Sequence, residues 1–146
     1  MKTITSIVFI VSFSLLSFSQ QNRDKIKTLK IAYITEKLNL SEKEAQQFWP
    51  VYNAFEEENF NLRNQSFEDR KNINFETLKE EEAVSLLKKM REFETKRMAL
   101  KNKFIDDLSK IIPAKKIILL QKVEDDFKHR MFEEFKNRRL NRGPKQ

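Results

Sequence analysis

Apolar residues recur at three- and four-residue steps along most of the chain, the period of an α-helix. Ile26, Leu29, Tyr33 and Ile34 fall toward one side of a helix predicted from about Asp24 to Leu38. Asn39-Leu40 then forms a turn, and Ser41-Glu42-Lys43-Glu44 has the pattern of a capping box. In that box Ser41 accepts from the Glu44 N–H, and the Glu44 side chain reaches back to the Ser41 N–H. A second helix is predicted to about Gln65, with Ala45, Phe48, Trp49, Tyr52, Phe55 and Leu62 on its apolar line. Pro50 interrupts that line and predicts a kink, because it lacks an N–H for the Gln46 carbonyl and crowds the preceding turn.

Residues Ser66 to Thr77 are polar and irregular, with Phe67, Ile73 and Phe75 as expected local anchors of a hairpin tip. A third helix is predicted from about Leu78 to Ile111, where Leu86, Met90, Phe93, Leu100 and Phe104 recur in a near-heptad line that also contains Arg97. Pro113 suits the first position of a fourth helix, where a missing N–H costs nothing. That helix carries Leu120, Val123, Phe127, Met131 and Phe135. Glu92–Lys96, Glu124–Lys128, Asp126–Arg130 and Glu134–Arg138 have the favoured order for ion pairs on outer helix faces. The expected class is all-α: four helices forming a long kinked helical hairpin.

Composition supports helices. Gly143 is the only glycine in the chain, so the turn chemistry of a β architecture is scarce. The N-terminal residues have a separate reading. Lys2 precedes an apolar run from Ile4 to Leu16, and Ser17-Phe18-Ser19 places small residues before a cut. That is the layout of a secretory signal peptide, with cleavage expected after Ser19. The run is shorter than the roughly 20 residues of a membrane span. The expected organisation is a signal peptide over 1–19, a helical hairpin domain over 20–135 and a basic, irregular tail over 136–146. A periplasmic location follows as an expectation.

The chain has no Cys and one His, His129, in a strongly charged stretch. Zinc chemistry and His-dependent nucleophilic catalysis have little to draw on. Asp106-Asp107 and Asp125-Asp126 are sequence neighbours, which do not face each other on a helix. We expect no catalytic residues, no metal and no cofactor. The net charge is +7, and Lys136, Arg138, Arg139, Arg142 and Lys145 crowd the last residues without an acid. In an exported protein such a tail suits an anionic membrane surface or an acidic protein, and no nucleic-acid partner is expected. Arg138, Arg139 and Arg142 are the candidate contacts.

Out-and-back helices bring the turn at Leu40-Ser41 and the turn at Ile112-Pro113 to one end. At about 1.5 Å per residue the helices make a rod, too thin to cover both sides of its apolar lines alone. A second copy or a protein partner is expected to cover what remains. Phe48, Trp49, Tyr52 and Phe55 are the candidate partner-binding residues, with a place in the core as the competing reading.

Leu38-Asn39-Leu40-Ser41-Glu42-Lys43-Glu44-Ala45 resembles the first Leu-Thr-x-x-Gln turn of the Spy/CpxP-like periplasmic family. Ile111-Ile112-Pro113-Ala114-Lys115-Lys116 is similar to that family's second such turn. Ala32-Tyr33-Ile34-Thr35 and Phe48-Trp49-Pro50-Val51-Tyr52-Asn53 look like a Bacteroidetes group described as sensors of ECF-type sigma factors. Ser41 and Glu44 replace the Thr and Gln of the first motif, and Ile112 and Lys116 occupy the corresponding places of the second. Leu40, Ser41, Glu44 and Pro113 are thus the helix-turn motif residues. The resemblance implies a bent helical hairpin that dimerises into an antiparallel cradle, and a role in envelope-stress sensing or ATP-independent chaperoning. The expected function is a non-enzymatic envelope-stress sensor acting by protein–protein binding, with a holdase chaperone as the alternative.

Overall fold

A computed structural model describes residues 24–141. The secretion signal expected over 1–19, and Arg142 with the rest of the tail, lie outside the described residues. Among the described residues there are four helices and no strand: α1 over 24–37, α2 over Glu42–Glu68, α3 over Glu80–Ser109 and α4 over Ala114–Asn141. The chain divides into two compact units. One consists of residues 24–40 with 119–141, the other of Ser41–Ile118.

In the first unit, Ile34, Leu38, Leu40, Leu120, Val123 and Phe127 are buried. The Tyr33 and Phe127 rings meet with centroids 5.6 Å apart. Arg130 and Lys37 lie over the Tyr33 ring at 5.9 and 5.7 Å from its centroid. Helix α1 stops in a Schellman arrangement. The Leu40 N–H donates to the Thr35 carbonyl at 3.1 Å and the Asn39 N–H to the Glu36 carbonyl at 3.0 Å. This closure requires a left-handed residue, and Asn39 supplies it with φ 46°. Asn tolerates that region because its short polar side chain bonds locally.

The second unit is an antiparallel hairpin of α2 and α3. The capping box at the start of α2 forms as expected. Glu44 N–H donates to Ser41 Oγ at 3.3 Å, and Ser41 N–H donates to Glu44 Oε2 at 2.7 Å. Helix α3 starts with half of such a box: the Lys79 N–H donates to Glu82 Oε2 at 3.1 Å, while Lys79 has no side-chain acceptor to return the bond. Three acids, Glu80, Glu81 and Glu82, sit in that first turn, where the helix dipole favours negative charge.

The structure departs from the sequence reading in several places. At Pro50, where the sequence predicts a kink, α2 runs on as a single helical span with the proline exposed. It also runs three residues past the expected end, to Glu68. Phe67 and Phe75 do not anchor the tip: they are 62% and 73% exposed. Pro113 precedes α4 rather than opening it. Its carbonyl accepts from Lys116 and Ile117 N–H groups at 2.9 and 3.3 Å, the role of a cap. Residues Lys136 to Asn141, expected as the start of an irregular tail, continue α4.

Replacing Asn39 by Gly removes the left-handed penalty at the end of α1 and is expected to raise stability by up to about 1 kcal/mol. Asn39→Ala is expected to lower it by about 1 kcal/mol. Urea unfolding followed by far-ultraviolet circular dichroism checks both; equal midpoints for the two variants would contradict the assignment.

Candidate functional site

The aromatic run of α2 forms the seam of the hairpin. Phe48 stacks on Tyr52 at 5.4 Å between centroids, Tyr52 meets Phe104 edge-on at 6.1 Å, and Phe55 stacks on Phe104 at 4.1 Å. Trp49 meets Phe48 and Tyr52 edge-on at 5.0 and 5.3 Å. Phe48 is fully buried and Tyr52 is 2% exposed. Trp49 and Phe55 are half-buried. Of the two readings of these four residues, Phe48 and Tyr52 belong to the core and are closed to a partner. Phe104, Leu108 and Ile112 complete the buried set of this unit.

The turns at Leu40-Ser41 and Ile112-Pro113 meet through an ion pair between the helices that follow them. Lys116 Nζ lies 2.8 Å from Glu44 Oε2, and both side chains are largely shielded. One carboxylate therefore caps α2 and ties its first turn to the first turn of α4. The Lys116 ammonium foremost, with the Ser41 N–H, holds the Glu44 carboxyl below its ordinary value. Leu40 is buried beside the Asn39 turn. Of the basic candidates, Arg138 pairs with Glu134 at 3.3 Å, Arg139 is exposed, and Arg142 lies outside the described residues.

The open apolar surface of the hairpin lies elsewhere. Phe60 and Phe67 on α2 are 60% and 62% exposed, and Leu87 and Met98 on α3 are 55% and 68% exposed. Ile105 is 38% exposed. At 100° per residue these positions sit about 100–120° around each helix from its seam line. Because the helices run antiparallel, that common offset puts both sets on the same flank. The pairs Phe55–Phe104 and Asp69–Lys89 set the register, so Phe60 lies level with Met98. Both stripes follow one spacing, Trp49–Phe60–Phe67 and Leu87–Met98–Ile105, eleven residues and then seven. That spacing was the available signal in the sequence. A search at three- and four-residue steps follows the seam and passes over it.

The opposite flank carries ion pairs beside a groove lined by Pro50, Val51, Ala54 and Leu100. Asp69 and Lys89 bridge that flank at 2.8 Å. Asp107 accepts from Lys103 and Lys110 at 2.8 and 3.1 Å, which hold its carboxyl below the usual range. Two shallow grooves of 190 and 270 Å³ lie along the hairpin, below the roughly 300–1,000 Å³ of small-molecule sites. Asp125 and Asp126 are engaged by Lys128 and Lys122 at 3.2 and 2.7 Å. His129 is exposed on α4. Among the described residues, no three acidic or His side chains gather as a metal site. No described helix is long and apolar enough to cross a membrane.

In comparisons with known proteins, no family model, no curated protein and no solved structure matches the chain.

Two outcomes test the site. Phe48→Ala is expected to cost about 3–5 kcal/mol in denaturant unfolding, the effect of emptying a core ring; a cost below about 1 kcal/mol would make Phe48 a surface residue. The Glu44 carboxyl is lowered in the folded state, so its contribution is present above the ordinary carboxylate value of about 4.3 and fades as pH falls through the lowered one. Lys116→Gln should therefore lower the urea midpoint at neutral pH, by a difference that shrinks as the pH falls below about 4.3. A difference that persists undiminished in acid would show that the bridge is not its source.

Proposed function

We propose that the protein is a non-enzymatic, exported binding protein of the bacterial envelope, a Spy/CpxP-like stress sensor that holds a protein partner on the open flank of its helical hairpin. The observation that carries this reading is the strip of Phe60, Phe67, Leu87, Met98 and Ile105, exposed along one side of two long helices. Exposed apolar patches of this kind are characteristic of protein contact surfaces. The opposite flank carries the Asp69–Lys89 and Asp107 ion pairs and none of the large exposed apolar side chains of α2 and α3.

A non-catalytic role is supported by the chemistry present. The acids singled out from the sequence are mostly matched to lysines along the helix surfaces, and the grooves are shallow. Export and a periplasmic site of action rest on the signal-like residues 1–19. Self-association as a dimer belongs to the same reading.

A second reading, a holdase chaperone, is favoured by the makeup of the strip. Met98, Leu87 and two Phe rings are spread among charged residues rather than gathered into one pocket, and Met in particular adapts to differently shaped partners.

The test compares the purified protein with a Phe60→Ser/Met98→Ser variant, in which both sites are exposed and the core is untouched. Suppression of aggregation of a denatured outer-membrane protein, reduced about tenfold in the variant at unchanged melting temperature, supports the holdase reading. A saturable complex with one membrane protein, lost in the variant, supports the sensor. Unchanged binding in the variant would remove the open flank from the function. Sedimentation equilibrium on the same samples reads the dimer.

A further inference from the structure

The last three turns of α4 carry a second surface, independent of the hairpin flank. Phe132 and Phe135 are 65% and 51% exposed there. At helical spacing, Lys128, Phe132, Phe135, Lys136 and Arg139 fall within a sector of about 100°, and none of the residues in that sector from Lys128 onward is acidic. The only acids between Lys128 and Asn141 are Glu133 and Glu134, against five cations. Both lie outside the sector; Glu133 pairs with Lys136 at its edge at 3.8 Å, and Glu134 with Arg138 at 3.3 Å. Lys128 pairs with Asp125 at 3.2 Å, and Arg139 has no ion-pair partner among the described residues. Ion pairs this exposed are weak and exchange readily with other anions.

We propose that this face of α4 docks on an anionic lipid surface, with Phe132 and Phe135 entering the headgroup–acyl boundary and Lys128, Lys136 and Arg139 meeting lipid phosphates. Aromatic and cationic residues on one helical face are what an anionic bilayer interface accommodates: rings in the boundary, long basic side chains extended toward the headgroups. A second copy fits poorly, because two such faces would bring like charges together. A nucleic-acid duplex leaves the rings without a use. The sequence after Asn141 adds Arg142 and Lys145 and no acid, extending the attraction that draws the helix to an anionic surface.

The experiment is vesicle co-sedimentation with the whole protein, using phosphatidylcholine vesicles and phosphatidylcholine–phosphatidylglycerol vesicles, across a salt series. Binding is expected to the anionic vesicles alone and to weaken with salt. Phe132→Ser/Phe135→Ser and Lys136→Gln/Arg139→Gln are each expected to reduce it about tenfold or more, while Phe132→Leu/Phe135→Leu retains it. All substituted positions are exposed, and circular dichroism confirms that each variant keeps its helix content. Equal binding to the neutral vesicles, no binding to either, or serine variants that bind like the parent would overturn the proposal. So would preferential binding to duplex DNA or polyglutamate that ignores the Phe substitutions, or a dimer that the serine variants dissociate.

Discussion

Two helices side by side can bury only the stripe that each turns toward the other. In the hairpin of α2 and α3 that stripe is largely aromatic, and the remaining features follow from how fully it is used. Phe48, Tyr52, Phe55 and Phe104 fill the seam with rings in stacked and edge-on contact, arrangements that add to the gain from area alone. Apolar residues well outside the stripe, Phe60 and Met98 among them, face away from the other helix of the pair. Phe60 and Met98 are open to solvent for that geometric reason, and an apolar flank results without any strain or missing structure.

Electrostatics organises the ends rather than the middle. Most of the ion pairs are short-range neighbours on one helix, several in the less favourable order with Lys before Asp, as in Lys103–Asp107 and Lys122–Asp126. They keep the surface charged and add little to stability. Glu44 is different in kind. Its carboxylate receives the Ser41 N–H and the Lys116 ammonium together, so the local rule that starts a helix and the long-range contact that closes the hairpin use the same atom.

Much of this was legible in the residues, and the misses have physical causes. The capping box was readable because its chemistry lies within four residues. The turn at Asn39-Leu40 was readable for the same reason, although the left-handed φ that makes Asn suitable there was not. The seam residues were identified as a set, but periodicity reports only that Phe48 and Tyr52 share a face. Which face is covered depends on the register between α2 and α3, fixed by residues some 50 positions away. The Glu44–Lys116 bridge spans 72 residues and has no local signature. Pro50, read from the sequence as a kink, sits at an exposed position inside the continuous span of α2. The helical span from Lys136 to Asn141 was hidden by its charge, which resembles that of a solvated tail.

The buried apolar residues of the hairpin unit, Phe48, Tyr52, Phe104, Leu108 and Ile112, all lie in the half away from the tip. Between Leu62 and Phe93 the seam residues are only half-buried, and the tip phenylalanines face water. Local stability therefore declines along the length of the pair. If the pair frayed, it would do so from its tip, like tweezers joined at the aromatic end. Such opening would expose the half-buried Leu62, Leu86 and Phe93 alongside Phe60, Phe67 and Leu87. The exposed apolar area would then grow with the parting of the two arms, while the aromatic end stayed closed.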